Sequence, residues 1–225
     1  MLSNDSLLFL DDLKANNNRD WFIANKKRYD IFKKDYHQLV GAFLNAMKPL
    51  DPSLEMLEIK HCTFRINRDI RFSKDKSPYK SHIGVWLSSG NKNNNRAGYY
   101  VHIERGASFI AGGFYAPESE DLKKVRKEIA FFHEDLEAIL EGKTFKKEFG
   151  TFARTEKSTL KNPPKGYDKE HPAIELLKLK SFELLQKFDI NEITEKDFVS
   201  KKTKKLILLK PLNEFMNRAL TAEEF

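Results

Sequence analysis

Cysteine is almost absent: Cys62 is the only one in 225 residues. An internal disulfide is thereby excluded, and so is a zinc centre built on several thiolates. A reducing compartment fits that usage. No apolar run approaches the roughly 20 residues that a membrane-spanning helix needs, so no membrane partner is expected. The opening string MLSNDSLLFLDDLK lacks the basic start and the sustained apolar stretch of a secretory signal. Asp11 and Asp12 interrupt it early, and the expected location is the cytoplasm. No internal repeat and no low-complexity tract stands out.

The familiar chemical signatures are missing as well. There is no P-loop and no G-x-G-x-x-G, hence no case for a common nucleotide fold. There is no G-x-S-x-G elbow, no kinase set and no H-E-x-x-H. Cys62 falls on an apolar face, where a structural thiol outweighs a nucleophile. These absences weigh against several enzyme classes and leave open an enzyme with dispersed catalytic residues.

What is present is enough material for a core: 40% hydrophobic residues, with 18 phenylalanines. The formal net charge is +7. Such a chain attracts anions, nucleic acid included, yet the same charge also serves plain solubility, which is the favoured reading.

Periodicity divides the chain into thirds. Leu7, Leu8, Leu10 and Leu13 predict a short amphipathic helix that Asn16–Asn18 break. Asn17 or Asn18 is expected to cap a longer helix whose stripe is Trp21, Tyr29, Phe32, Tyr36, Leu39, Phe43 and Met47, ended by Pro49 and Pro52. From Ile59 to Phe72 the residues alternate. Cys62, Phe64, Ile66, Ile70 and Phe72 lie on one face, and His61, Thr63, Arg65, Asn67, Asp69 and Arg71 on the other, which predicts a half-buried strand. Further strands are expected at Ile83–Leu87, Gly98–Glu104 and Ser108–Tyr115, the first two joined by the loop SSGNKNNNR. Gly112 and Gly113 mark a bulge or a close backbone approach. Leu122, Val125, Ile129, Phe132, Leu136 and Ile139 predict another helix. Residues 143–172 read as irregular, 173–180 as a short helix, and 181–188 as either strand or helix. Thr194 is a candidate cap, and Lys204–Leu220 a final helix interrupted at Pro211. No clean linker appears. The expectation is one α+β domain over residues 1–225, with a mostly antiparallel sheet in the middle of the chain packed against N- and C-terminal helices.

The informative stretch is Lys60–Lys80. It carries Lys60, Arg65, Arg68, Arg71, Lys74, Lys76 and Lys80 against only Asp69 and Asp75. Arginine forks suit phosphate or carboxylate, and lysines add point charge. Ser73, Ser77 and Tyr79 offer hydroxyls. Arg65, Arg68, Arg71, Lys74, Lys76, Tyr79 and Lys80 are therefore the candidate ligand-binding residues. Asp69 and His61 are the weak candidates for acid–base work. In a regular strand Arg65 and Arg71 would stand roughly 20 Å apart, too far to grip one small phosphate. Either a bend gathers the arginines, or the site is extended, or Arg–Asp pairs pin the loop to the sheet.

The string FRINRDIRFSKDKSPYK (residues 64–80) resembles the signature of the conserved hypothetical family catalogued as domain of unknown function 2461. That signature is an R-x-x-R-D-x-R-F run followed by a D/N-K-x-x-Y element. Arg65, Arg68, Asp69, Arg71, Phe72, Asp75, Lys76 and Tyr79 carry the match. The strings NNNRDWF, AGYYVHIE, GGFY and HPAIELLKLKSF are similar to the family too, so the resemblance spans nearly the whole chain. It implies a bacterial protein of one domain and implies no activity, cofactor or catalytic residue.

Other candidates are weaker. His61, His82 and His102 fall on expected strands, with Glu104 on the face of His102. A three-His metal site is open in principle, but histidines satisfied by neighbours are favoured, and no metal ligand is assigned. His133, Glu134 and Glu137 read as a solvated helix face. The run Lys201, Lys202, Lys204 and Lys205 is read as solvated rather than as a nucleic-acid contact. Tyr99, Tyr100, Phe114 and Tyr115 could stack bases, with core packing the default. The leading expectation is binding of an anionic partner, a phosphorylated metabolite or nucleic acid. The alternatives are an enzyme acting on a phosphate- or carboxylate-bearing substrate and a purely structural motif.

Overall fold

The computed structural model describes residues 2–90 and 95–221. Its helices and strands in chain order are α1 (Asn4–Ala15), α2 (Arg19–Ala24), α3 (Lys26–Met47), α4 (Ile59–Cys62), β1 (Ile83–Leu87), β2 (Gly98–Ile103), β3 (Phe109–Phe114), α5 (Ser119–Glu141), α6 (Lys143–Phe149), α7 (Ile174–Leu177), β4 (Phe182–Lys187), α8 (Phe198–Leu206) and α9 (Lys210–Thr221). The four strands form an antiparallel sheet in the order β1-β2-β3-β4. The fold class is α+β, as the periodicities predict. No helix among the described residues is long and apolar enough to cross a membrane.

Two compact units partition the chain. The first comprises Met1–Lys92, Tyr100–Ile110 and Lys187–Lys204, and the second Asn93–Tyr99, Ala111–Gln186 and Lys205–Phe225.

In the first unit α1 packs on α3. Ser3 caps α1 by accepting from the Ser6 amide, and Leu7, Phe9, Leu10 and Leu13 are its buried apolar residues. Asp35 on α3 ties that end down. One of its carboxylate oxygens accepts from the Ser3 amide (3.2 Å), the Ser3 hydroxyl (2.7 Å) and the Ser6 hydroxyl (2.8 Å). The α3 stripe buries Phe32, Tyr36, Leu39, Phe43 and Met47, as its spacing predicts. The long helix expected behind a cap at Asn17 or Asn18 is two helices. Asn18 caps α2 through the Trp21 amide at 2.9 Å, and the chain breaks at Asn25 before α3 begins.

The strand expected over residues 59–72 does not form. Residues 59–62 make one helical turn, and the rest is irregular apart from a single antiparallel bridge, Asn67 to Tyr79. Thr194 does not cap a helix. Its hydroxyl donates to the Asn191 carbonyl (2.9 Å) inside a 3₁₀ turn, Ile190–Thr194.

In the second unit α5 packs along α9. Val125, Ile129, Leu136 and Leu140 are buried, but the helix kinks at Phe132 (φ −128°, ψ 34°), which turns that ring out of the stripe and leaves it 47% exposed. Residues 143–149, expected to be irregular, form α6, which buries Phe145 and Phe149 at i, i+4 spacing. Residues 182–187 settle as strand. The final helical stretch begins earlier than expected, at Phe198. It passes through a 3₁₀ turn at Ile207–Leu209 and resumes as α9, with Pro211 in the first turn, where its missing N–H is harmless. Gly113 marks the expected close approach: its φ is +114°, and a Cβ there would sit 2.1 Å from the Phe182 carbonyl oxygen. The expected loop SSGNKNNNR includes residues 91–94, which lie outside the described residues.

Candidate functional site

The basic stretch folds back on itself within the first unit. The Arg68 amide donates to the Pro78 carbonyl (2.9 Å) and the Lys80 amide to the Ile66 carbonyl (2.8 Å), closing residues 66–80 into a loop. Alternation alone does not make a strand; a partner ladder is required, and among the described residues the segment pairs only with the loop's own short end. Phe72 and Phe64, which would sit on the buried face of such a strand, are 95% and 40% exposed.

Five of the loop's seven charged residues bond within it through their side chains. Arg68 pairs with Asp75 and also donates to the Ser77 carbonyl (3.2 Å) and the Ser73 hydroxyl (3.4 Å). Ser77 donates its hydroxyl (2.6 Å) and its amide (2.9 Å) to the other Asp75 oxygen. These hydrogen bonds, with the Arg68 charge, pull the Asp75 carboxyl down to about 2. Arg71 forks onto both oxygens of Asp69, at 3.0 and 2.7 Å, which lowers the carboxyl pKa and raises that of the guanidinium. Lys76 donates to the Ile70 carbonyl (3.0 Å). Tyr79 is buried. Its ring stacks on Phe22 at 4.1 Å, and the Asn17 amide clamps its backbone: Oδ1 accepts from the Tyr79 N–H (3.0 Å) and Nδ2 donates to the Tyr79 C=O (2.9 Å). Lys74 is exposed and forms no salt bridge among the described residues.

Arg65 and Lys80 go elsewhere, to the wall of an open cavity of about 720 Å³. Helix α3 supplies Tyr29, Phe32, Lys33, Tyr36 and His37; α4 supplies Ile59 and Lys60. Thr63, Phe64, Arg65, Ile66 and Asn67 follow from the chain after α4, and Lys80, His82, Ile83, Gly84 and Tyr100 from the sheet side. Four of these residues are cationic, none is Asp or Glu, and five carry phenyl or phenol rings. Lys60 pairs with Glu58 (3.0 Å). The Lys80 amine donates to the Arg65 carbonyl (3.0 Å) and lies 5.5 Å over the Phe64 ring. Arg65 and Lys33 form no salt bridge among the described residues.

Tyr36 organises the cavity. Its hydroxyl donates to the Gly84 carbonyl and accepts from the Phe64 amide (3.0 Å), joining α3, β1 and the chain after α4. Burial raises its pKa above the usual phenol range and pushes Tyr100 up to about 12. Both hydroxyls are protonated and uncharged at neutral pH. Gly84 lets the Tyr100 ring lie across β1, since a Cβ there would meet the Tyr100 hydroxyl at 2.4 Å. Burial lowers the pKa of both histidines in the wall, with Lys33 adding to the effect on His37 and His102 to that on His82.

Asp69 and His61 do not line the cavity. Asp69 is held by Arg71, and the His61 ring nitrogen accepts from the Glu58 amide (3.1 Å). His82 and His102 do meet, with ring centroids 4.7 Å apart and Glu104 beside them. Of the lysine run, Lys201 pairs with Glu195 and Asp197, Lys202 is buried against Glu192, and Lys205 pairs with Glu148. Tyr99 and Phe114 are core residues. Sequence reasoning missed Tyr29, Lys33, Tyr36 and His37. Their signal is helical spacing, because the four fall on one side of α3.

Compared with family models, residues 5–215 match the one described as "Conserved hypothetical protein (DUF2461)". No curated protein and no solved structure matches the chain.

Proposed function

The chain belongs to this conserved hypothetical family, and for it we propose that the cavity beside α3 binds a small organic anion, a carboxylate or phosphate carried on a planar or apolar body. The supporting observation is the lining: four cations, no carboxylate, and five aromatic rings around a space of small-molecule size. Arg65 and Lys80 grip the anion, Lys33 and Lys60 add field, and the rings of Tyr29, Phe64 and Tyr100 take the body. Arg68, Lys76 and Tyr79 act one step away by shaping the loop that carries Arg65 and Lys80. A concave pocket favours a small molecule over nucleic acid, which would need a groove tracking several phosphates.

The test is a thermal-shift and calorimetric screen of aromatic carboxylates and nucleoside monophosphates. Inorganic phosphate and a single-stranded oligonucleotide serve as comparators. A planar organic anion binds, and Arg65→Ala weakens it by about 1.5–3 kcal/mol, tenfold or more, because a charge-assisted hydrogen bond is lost. Arg65 makes no ion pair among the described residues, so the substitution leaves unfolding stability within about 0.5 kcal/mol. Binding untouched by Arg65→Ala removes this reading. Oligonucleotide binding that falls steeply with salt replaces it with the nucleic-acid one.

A second reading, an enzyme acting on the same anion, rests on His37. Its imidazole lines the cavity and has a lowered pKa, which suits a neutral base at pH 7. Turnover of a bound anion that His37→Ala abolishes, with binding retained, would support it.

A further inference from the structure

The first unit holds a second cluster that the anion cavity does not account for. His102 and Glu104 are two residues apart along β2 and its end, so they share a face. His82 stands one residue before the neighbouring strand β1. One nitrogen from each histidine and one Glu104 oxygen all lie within 4.8 Å of one another. We propose that His82, His102 and Glu104 form a binding site for a single divalent first-row transition ion, with zinc the species to test first.

Geometry carries the proposal. Around tetrahedral zinc, bonds of roughly 2.0–2.1 Å set neighbouring ligand atoms about 3.4 Å apart. His102 Nε2 and Glu104 Oε2 already stand at 3.3 Å. Drawing the third donor in from at most 4.8 Å takes a side-chain adjustment of little more than an ångström. The surroundings resemble the outer support of a metal centre. The Tyr100 hydroxyl lies 3.1 Å from His102 Nδ1, which leaves Nε2 aimed at Glu104, and Phe109 stacks on the ring at 4.8 Å with an interplanar angle of 12°. Lys14 holds the other Glu104 oxygen at 3.3 Å and so leaves Oε2 facing the histidines.

The donor set selects the ion. Two imidazoles and one carboxylate suit zinc or ferrous iron and disfavour magnesium and calcium, which prefer oxygen throughout. Three protein ligands leave a coordination position open. His82 also lines the anion cavity. Of the three ligands only His82 is shared with the anion cavity, Tyr100 serves both sites from beside them, and the proposal does not rest on the anion reading.

The experiment is calorimetric titration of zinc into the chelator-treated, metal-free full chain, together with cobalt(II) substitution followed by visible absorption. The wild type takes up one equivalent of zinc, and zinc raises its unfolding temperature by mass action. His82→Ala and Glu104→Gln, each verified as folded by circular dichroism, lose affinity about tenfold or more, whereas His61→Ala does not. Zinc that fails to bind the folded wild type overturns the proposal, as does binding that neither substitution weakens. Arg65→Ala leaves zinc binding unchanged, so failure of the anion reading and failure of the metal site are told apart.

Discussion

Removing the Asn17 side-chain amide tests whether the signature loop is held from outside or only by its own ion pairs. Asn17→Ala deletes two hydrogen bonds, to the N–H and the C=O of Tyr79, and leaves both backbone groups without a partner. Each neutral bond contributes about 1 kcal/mol net, and stranding a buried group adds up to about 1–3 kcal/mol. Asn17 itself is only part-buried, so water recovers some of this, and the expected loss is about 2–3 kcal/mol. For a chain of this length that lowers the unfolding temperature by about 5–10 °C. Asn17→Asp is the sharper control. It keeps an acceptor for the Tyr79 N–H but sets a carboxylate oxygen against the Tyr79 C=O, and it destabilises at least as much. Urea unfolding measures the global effect. Hydrogen exchange measures the local one, because the Arg68 and Lys80 amides, bonded to Pro78 and Ile66, lose protection when the loop end is released. A loss below about 0.5 kcal/mol, with exchange at residues 68 and 80 unchanged, would show that the ion pairs suffice and that Asn17 is incidental.

Arg71→Gln removes an exposed fork and leaves both the unfolding midpoint and anion affinity unchanged, in contrast to Arg65→Ala; a titration of each variant with the same anion decides. Gly113→Ala places a Cβ against the Phe182 carbonyl at positive φ and destabilises by more than about 2 kcal/mol in urea unfolding, since backbone strain and overlap act together. Burial by itself raises the Asp35 pKa, but hydrogen bonds from Ser3 and Ser6 outweigh it and the net shift is downward. Its stabilising contribution is therefore complete above the unfolded carboxyl pKa, about 3.9, and is lost as pH falls through the lower folded value. The wild-type advantage over Asp35→Asn, full at neutral pH, shrinks in unfolding experiments carried below pH ~4.

Long periodic segments were legible because one face had to be buried whatever its partner. The α3 stripe and strands β1 to β3 follow directly from spacing. Residues 59–72 misled because alternating apolar residues satisfy the geometry of a strand without supplying a neighbour, and Arg68, Asp69, Arg71 and Asp75 instead bond locally. Helix α6 was hidden because KTFKKEF has only two apolar anchors among its lysines. Of the basic stretch, Lys60, Arg65 and Lys80 reach the cavity wall, while Arg68, Arg71, Lys74, Lys76 and Tyr79 do not. The rest of the wall comes from α3 and from Tyr100 on β2, and bringing these together requires a strand register that no single-sequence pattern encodes.

Gly84 carries a consequence for assembly of the sheet. On its face of β1 the flanking positions are His82 and Trp86, both bulky. A slip of β1 by two residues against β2 would drive an imidazole or an indole into the space that the Tyr100 ring occupies, and a slip by one would turn the apolar face of β1 outward. The missing side chain thus works as a keyway into which the Tyr100 phenol fits at one alignment, so the cavity and the pairing of these two strands are specified by the same contact.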